Sequence, residues 1–222
     1  MVDKDQIESI SVMVPENPFA KQSEAEVCLC ALDVEKLMLW WPGTPAFPNR
    51  NPAKVRSIQR SLDWKRVAHI AAYLLQKELK EVSEMIEKYF GEIYEPLKYE
   101  PGREWPPKVG AVISYQRSVY PSFSNVLLHV NGAQVVPDPK EPQAAFLRFN
   151  PKDEKFALSV IDGQHRINGA YLAVRIMQET DSSIRWRVPA QVYVDLDQPI
   201  SRPQHQGHIF IDIIFNQKKV DR

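Results

Sequence analysis

The sequence predicts an α+β domain in which a mixed sheet is flanked by helices. Short apolar runs bounded by turn residues recur along the chain and predict strands. Between them lie longer proline-free stretches in which apolar residues recur at helical spacing. The 222 residues are enough for one domain of moderate size, with or without an appended subdomain, and for a real core.

The chain divides into an N-terminal segment and a main domain. Residues 1–53 predict a β-rich, proline-rich segment packed on the core, with its best strand at 24–34. Residues 54–222 form the main domain, which opens with two predicted helices at 61–76 and 80–90. The first of these helices is expected to be capped by Ser61 or Asp63.

The second half of the chain alternates strand and helix signals. After a proline-rich break, Asn131 and Gly132 mark a tight turn at the end of one predicted strand. The predicted strands are 109–116, 124–131, 156–161 and 188–196, the predicted helices are 164–178 and 207–220, and 137–142 is predicted as loop.

Charge and cysteine content exclude several classes of protein. The formal net charge is zero, with 28 basic and 28 acidic side chains, so any site for a polyanion must be local. No apolar run approaches the roughly 20 residues of a membrane-spanning helix, and MVDKDQIESI lacks the apolar centre of a signal peptide. Cys28 and Cys30 are too close together for an unstrained disulfide and too few for a zinc site. We therefore expect a cytoplasmic protein with reduced thiols and no membrane partner.

The strongest basic cluster lies around the start of the first long helix. One acidic residue, Asp63, accompanies six basic ones: Arg50, Lys54, Arg56, Arg60, Lys65 and Arg66. Such a cluster is either a solvated helix face or a patch that faces phosphate groups. The residues alone leave both interpretations open.

The most specific stretch is SVIDGQHRINGAYLA, residues 159–173. An apolar strand ends at Ile161, Asp162 and Gly163 turn the chain, and a helix follows. Asp162 is expected to cap that helix. Gly163 is expected to supply an unusual φ and to let a ligand approach the backbone closely.

The first turn of the predicted helix carries His165 and Arg166. The first N–H groups of a helix have no partner inside it and, together with the helix dipole, favour an anion. Cationic side chains at this positive end are unfavourable unless an anion compensates them. The pattern therefore predicts a phosphate-bearing ligand at 162–166, and the plain alternative is a turn with two exposed polar side chains.

The pentapeptide DGQHR at 162–166 resembles the signature of the DGQHR-domain proteins, typified by DndB of bacterial DNA phosphorothioation systems. Two flanking stretches are also similar to that family. QRSLDWKRVAHIAAYL (59–74) resembles its arginine-bearing helix, and FIDIIFNQKKV (210–220) resembles its Phe…Asn…Gln segment. The family is similar in turn to the ParB/sulfiredoxin fold, in which a Gly-x-x-Arg turn at a helix start binds nucleotide phosphates. The resemblance thus implies a ParB/sulfiredoxin-like core.

The resemblance implies a nucleotide- and DNA-associated regulator of a DNA phosphorothioation or related defence system. Gly163, His165 and Arg166 then bind phosphates. Asp162 caps the turn or coordinates Mg²⁺, and Gln164 reads the ligand or orients a water. If NTP is hydrolysed, Asp162 or Gln164 positions the attacking water, while Mg²⁺ and Arg166 offset the charge of the phosphoryl group. The implied partners are nucleotide, DNA and other proteins of phosphorothioation or restriction systems.

Three residues outside the turn are expected at the same site. The resemblance pairs the arginine-bearing helix with the turn, so Arg60 or Arg66 is expected to face the cleft of Arg166. Asn216 belongs to the amide pair that follows the last apolar segment. It is expected to complete the pocket wall, to continue a basic strip with Lys218 and Lys219, or to lie in a disordered stretch. Members of the family usually continue with helical sequence beyond this segment, so the chain is expected to be either truncated at Arg222 or a short relative.

One departure from the sulfiredoxin pattern excludes thiol–phosphate chemistry, because Gln164 stands where sulfiredoxins carry a nucleophilic cysteine. Two alternative functions stay open. In the first, the same turn binds DNA backbone phosphate without catalysis. In the second, which only the family association suggests, the chain is a nuclease component of a restriction system. The sequence has no second His/Asn cluster of the HNH kind and no Walker A lysine loop.

Overall fold

A computed structural model of the protein describes residues 7–15, 25–41, 63–90, 125–141 and 143–195. Within these ranges the chain forms seven strands and four helices. In order they are β1 (Glu8–Met13), β2 (Ala25–Asp33), α1 (Val34–Trp40), α2 (Trp64–Leu75), α3 (Leu79–Phe90), β3 (Val126–Asn131), β4 (Ala133–Pro137), β5 (Ala144–Phe149), β6 (Ala157–Asp162), α4 (Gln164–Gln178) and β7 (Arg187–Asp195).

The strands form one mixed sheet in the order β4-β5-β1-β2-β7-β3-β6. Among the described strands, β3 and β7 pair in parallel, and the other neighbours pair antiparallel. The predicted α+β class with a mixed sheet is therefore confirmed. The predicted strands near β2, β3, β6 and β7 and the predicted helices near α2, α3 and α4 are confirmed within a few residues.

The N-terminal segment contributes strands to the same sheet as the rest of the chain. β1 lies between β5 and β2, and β2 pairs along its whole length with β7. Residues 1–53 thus supply two interior strands rather than only a cover for the core. The predicted strand 109–116 and the predicted helix 207–220 lie outside the described residues.

Four elements were not predicted from the sequence: β1, α1, β4 and β5. α1 is only seven residues long and starts directly after β2, where the Asp33 carboxylate accepts the backbone N–H of Glu35 at 2.9 Å. Two turns of helix are too short to display a 3.6-residue period. β4 and β5 form a hairpin across the loop expected at 137–142, and each strand has only five or six residues.

The core is built from the alternate residues of the sheet that face the helices. In β7, for example, Val188, Ala190, Val192 and Val194 are buried while their neighbours are partly or fully exposed. The edge of the Trp40 ring packs on Phe149 with 5.0 Å between ring centroids, which joins α1 to this core. The described helices include none that is both long and apolar enough to cross a membrane.

Cys28 and Cys30 are free thiols on β2. Burial is the main cause that raises the pKa of both thiols to about 12, and the nearby Glu26 carboxylate adds to the effect at Cys28. A thiol that stays protonated is a poor nucleophile. The two cysteines therefore behave as small core residues, in line with the predicted reduced pair.

Helices α2 and α4 cross at a glycine, and this crossing positions the candidate site. A Cβ atom built on Gly169 of α4 would lie 2.5 Å from Cγ2 of Ile70 and 3.1 Å from the carbonyl oxygen of Val67, both on α2. Only glycine permits this approach of the two backbones. As a result, the N-termini of α2 and α4 lie close together on the same side of the molecule.

Candidate functional site

The turn between β6 and α4 depends on Gly163, which occupies the N-cap position with φ 100° and ψ 13°. Such a φ is strained for any residue with a side chain. A Cβ at this position would also lie 2.8 Å from Cγ1 of Val126 on β3. The expected unusual φ is confirmed. The space beside the glycine, however, is filled by Val126, so close packing within the protein explains the missing side chain.

The expectation that Asp162 caps α4 is wrong. The N-cap residue of this helix is Gly163, which has no side chain that could form a capping hydrogen bond. Because Gly163 takes the N-cap position in the left-handed conformation, Asp162 stands one residue too early to accept from the first N–H groups. Its carboxylate instead accepts from Nη2 of Arg166 at 2.5 Å.

The Arg166 side chain connects the turn to the sheet through hydrogen bonds. Its Nη1 donates to the backbone carbonyl of Asn125, just before β3, at 2.9 Å, while Nη2 pairs with Asp162. The Arg166 side chain is 17% exposed and that of Asp162 is 50% exposed. Both terminal nitrogens of the predicted phosphate-binding arginine therefore contact the protein's own oxygens in this structure.

His165 connects the two helix N-termini. Its Nε2 accepts the backbone N–H of Asp63, the residue that precedes α2, at 2.9 Å. An acceptor nitrogen carries no proton, so the neutral ring has its proton on Nδ1. Burial lowers the pKa of His165, the Arg66 guanidinium lowers it further, and the carboxylates of Asp63 and Asp162 oppose the shift.

The N-terminus of α2 is capped as predicted. The Asp63 carboxylate accepts the backbone N–H groups of Lys65 at 2.9 Å and of Arg66 at 3.4 Å. The Arg66 side chain is exposed, and its charge acts on His165 across the gap between the helices. The structure thus brings Arg66 to the turn that carries Arg166, whereas the other two expected residues, Arg60 and Asn216, lie outside the described residues.

Gln164, the first residue of α4, is buried and not exposed on the surface of the turn. The residue is only 7% exposed, and its backbone carbonyl accepts from Nδ2 of the buried Asn168 at 2.8 Å. In this conformation very little of the residue is accessible to a water or a nucleotide. The structure therefore places the two residues expected to be catalytic in different surroundings, with Asp162 at the surface and Gln164 in the interior.

The described residues fit an anion better than a metal ion. They contain no group of three or more His, Cys, Asp or Glu side chains arranged to hold a metal. Asp162, the residue expected to coordinate Mg²⁺, already faces the guanidinium of Arg166. A second cation there would meet like-charge repulsion. By contrast, the N-cap residue of α4 is a glycine, which supplies no side-chain cap, and the positive charge of Arg66 acts on the ring of His165 in the first turn of α4.

A second polar pair was not predicted. His129 of β3 is fully buried, and its Nε2 lies 2.9 Å from a carboxylate oxygen of Asp195 at the end of β7. The two residues are 66 positions apart, and neither belongs to a recognisable motif. Only the parallel pairing of β3 with β7 brings them together, and no local pattern in the sequence reveals that pairing.

Comparison with known proteins identifies no relative. No family model, curated protein or solved structure matches this chain.

Proposed function

We propose that the chain binds a phosphate group where the N-termini of α2 and α4 meet. One observation carries the proposal. The hydrogen bond from the Asp63 N–H to His165 joins the N-termini of α2 and α4. The Asp63 side chain caps α2, whereas the N-cap residue of α4 is a glycine and supplies no side-chain cap. The dipole of α4 favours an anion at its N-terminus, where the N–H groups of the first turn point.

The neighbouring side chains suit a phosphate oxygen. Because Nε2 of His165 accepts the backbone N–H of Asp63, the neutral ring carries its proton on Nδ1. The ring can therefore donate one hydrogen bond, from Nδ1. Arg66 brings a full positive charge from the exposed first turn of α2. A guanidinium forms charge-assisted, often bidentate bonds to phosphate. In this proposal Arg66 supplies charge and Arg166 maintains the shape of the turn.

The proposal includes a ParB/sulfiredoxin-like core and a DndB-like role. Support for the core comes from the sequence β6–Gly163–α4, a strand and a glycine turn followed by a helix that carries an arginine. Support for the role comes from the DGQHR resemblance. On this basis the ligand is a nucleotide, NTP with Mg²⁺ included, or DNA. The chain then acts in the cytoplasm as a regulator of DNA phosphorothioation or of a related defence system, with other proteins of that system as partners.

The burial of Gln164 favours a second candidate function. In this candidate the chain is a module that binds DNA backbone phosphate without catalysis. Hydrolysis needs a group that orients water next to the phosphate. Gln164 is 7% exposed, and Asp162 is paired with Arg166. We therefore place phosphate recognition ahead of hydrolysis.

Titration calorimetry of the chain with inorganic phosphate, ATP and ADP, each with and without Mg²⁺, tests the proposal. Arg66→Gln should weaken phosphate binding about 10- to 150-fold, the effect of losing one charge-assisted contact of about 1.5–3 kcal/mol. The matched control is Arg175→Gln, which removes the same charge from the last turn of α4, at the opposite end of that helix. Equal affinities for the two variants would contradict a site at the helix N-termini.

The wild type and the same two variants also distinguish a nucleotide ligand from a DNA ligand. Titration with a short duplex at two salt concentrations should give an affinity that falls steeply with salt if backbone phosphates are contacted. A wild-type chain that binds neither nucleotide nor duplex at low salt would overturn both candidate functions. Release of inorganic phosphate from ATP, measured on the same samples, distinguishes an NTPase from a binding module.

A further inference from the structure

The hydrogen bond between the starts of α2 and α4 can exist in only one protonation state of His165. The backbone N–H of Asp63 donates to Nε2 of this ring at 2.9 Å, so Nε2 must offer its lone pair and carry no proton. A protonated imidazole has an N–H on both nitrogens and can accept at neither. Uptake of one proton therefore replaces this hydrogen bond by two N–H groups that face each other.

The charges around the ring act in opposite directions once it becomes a cation. Among the described residues, the groups that act on it are Arg66 and Asp63 at the start of α2 and Asp162 at the end of β6. The two carboxylates attract an imidazolium, but the first already caps α2 and the second is paired with Arg166. The Arg66 guanidinium repels it. Burial and then Arg66 lower the pKa of His165 from its ordinary value of 6.5, so the ring is neutral at pH 7.

The crossing of the two helices limits how far their starts can separate. Gly169 and Ile70 approach each other about one turn beyond His165 in α4 and about two turns beyond Asp63 in α2. This contact joins apolar groups and does not depend on protonation. Asp63 is exposed, so water can accept its backbone N–H when the ring no longer does. Loss of the hydrogen bond consequently lets the helix starts separate while the crossing stays packed.

We propose that the hydrogen bond from the Asp63 N–H to Nε2 of His165 is a pH-sensitive link between α2 and α4, formed by the neutral ring and broken by the protonated one. The link belongs to the free chain and needs no ligand, so it goes beyond the proposed phosphate site. While it is formed, the start of α2 is held against the turn at 162–166. When it breaks, Arg66 moves away from that turn together with the start of α2. The break occurs in mildly acidic solution, where histidine is the side chain that changes its charge.

A scalar coupling across the hydrogen bond tests the link directly. In the uniformly ¹⁵N-labelled full chain at pH 7, the amide nitrogen of Asp63 and Nε2 of His165 should show a ¹⁵N–¹⁵N coupling, and the ring shifts should be those of the Nδ1–H tautomer. As the pH falls below 6.5, the coupling should disappear in step with the protonation of the ring. A ring that carries its proton on Nε2 at pH 7, with no coupling to Asp63, would overturn the inference.

Amide hydrogen exchange distinguishes a broken link from an unfolded helix. Protection of the Asp63 amide, corrected for the intrinsic effect of pH, should fall about tenfold or more from pH 7 to pH 5, because the broken state grows tenfold with each unit below the pKa of the ring. The amide of Ile167 donates to the Gly163 carbonyl at 2.9 Å inside the first turn of α4 and should keep its protection.

Two variants assign the effect to one histidine. His165→Gln offers an amide oxygen that can accept the Asp63 N–H at any pH, so protection of that amide should be equal at pH 7 and pH 5. The matched control is His69→Gln, which removes the histidine of α2 whose pKa is also lowered by burial. It should retain the loss seen in the wild type. If His165→Gln does not fold, the coupling in the wild type decides alone.

Three further outcomes would overturn the inference. Unchanged protection of the Asp63 amide in the wild type after the ring is protonated shows that the link does not break. An equal loss at Asp63 and Ile167 shows that the start of α4 unfolds as a whole. A loss that persists in His165→Gln, or that vanishes in His69→Gln, assigns the effect to another group. None of these measurements contains phosphate, so the proposed function is judged separately by its own calorimetry.

Discussion

Helices α2 and α4 begin side by side, but their first turns are completed in different ways. α2 starts after Asp63, whose extended backbone lets its carboxylate accept two N–H groups of the first turn. α4 starts at Gly163, whose left-handed backbone leaves the first turn without a side-chain cap. Each helix is preceded by an aspartate within two residues, yet only one of them caps.

Whether a residue caps a helix depends on its backbone conformation as well as on its amino-acid type. Asp63 has φ −88° and ψ 102° and stands directly before the first helical residue. Asp162 stands one residue further back, and its carboxylate turns to Arg166. The Asp63 carboxylate thereby offsets the positive end of α2, whereas the N-cap glycine of α4 has no side chain that could do the same.

The largest effect is expected from Gly163→Ala, which forces a side chain into the uncapped turn. A positive φ and a contact of 2.8 Å with Val126 both oppose the new Cβ. We expect a loss of about 2–4 kcal/mol in the free energy of unfolding. Urea denaturation measures it. In a Val126→Ala background, which removes the Cγ1 atom and keeps the Cβ atom at 3.1 Å, the loss should be smaller. An equal loss in both backgrounds would exclude the packing contribution.

Gly169→Ala tests the helix crossing that brings the two N-termini together. An ordinary helix interior gains about 1 kcal/mol from Gly→Ala. Here the new Cβ would lie 2.5 Å from Ile70, so the sign should reverse to a loss of about 1–3 kcal/mol. A variant that unfolds at higher urea concentration than the wild type would show that the two helices do not approach this closely.

Asp63→Ala and Asp162→Ala compare the two helix starts directly. Loss of the α2 cap should cost about 0.5–2 kcal/mol, and Asp63→Asn should restore most of it. Asp162→Ala removes an exposed ion pair and no cap, so its cost should stay below about 1 kcal/mol. Thermal unfolding of the three variants gives the ranking. A larger cost for Asp162→Ala than for Asp63→Ala would reverse the comparison.

The smallest effect concerns pH. The pKa of His165 is lowered below its ordinary value of 6.5, mainly by burial and then by Arg66, so the unfolded chain binds the proton more tightly. The neutral ring therefore contributes stability above pH 6.5 that is lost as the pH falls through the folded-state pKa. Burial lowers the pKa of His69 as well, with the same sign. In His165→Gln the decline of unfolding free energy from pH 7 to pH 5 should be shallower but still present, and an unchanged slope would contradict the linkage.

Much of the fold could be predicted because its signals are local. The periodicity of α2, α3 and α4, the cap at Asp63 and the turn at Gly132 all depend on neighbouring residues. α1 was missed because two turns of helix are too short to display a helical period, and β4 was missed because it runs into the proline-rich stretch that begins at Pro137. Local reasoning also failed at Asp162, because the sequence does not indicate that Gly163 takes the cap position.

The contacts that build the site could not be predicted, because they join distant parts of the chain. The backbone N–H of Asp63 and the ring of His165 are 102 residues apart, and Arg166 and Asn125 are 41 residues apart. The resemblance to the DGQHR signature drew attention to the start of α2 and to the turn before α4, which are joined by the hydrogen bond between Asp63 and His165. It did not reveal that Arg166 would be paired with Asp162 or that Gln164 would be buried.

The most direct test of the account is a titration of the ¹⁵N-labelled chain with inorganic phosphate, followed by amide chemical shifts. We predict saturable shifts at the backbone amides of residues 163–166 and at the His165 ring. The capped amides of Lys65 and Arg66 should move much less, because Asp63 already occupies them. Saturable shifts at the α2 amides with none at 163–166, or small linear shifts spread over surface lysines, would contradict the claim that the uncapped start of α4 binds phosphate.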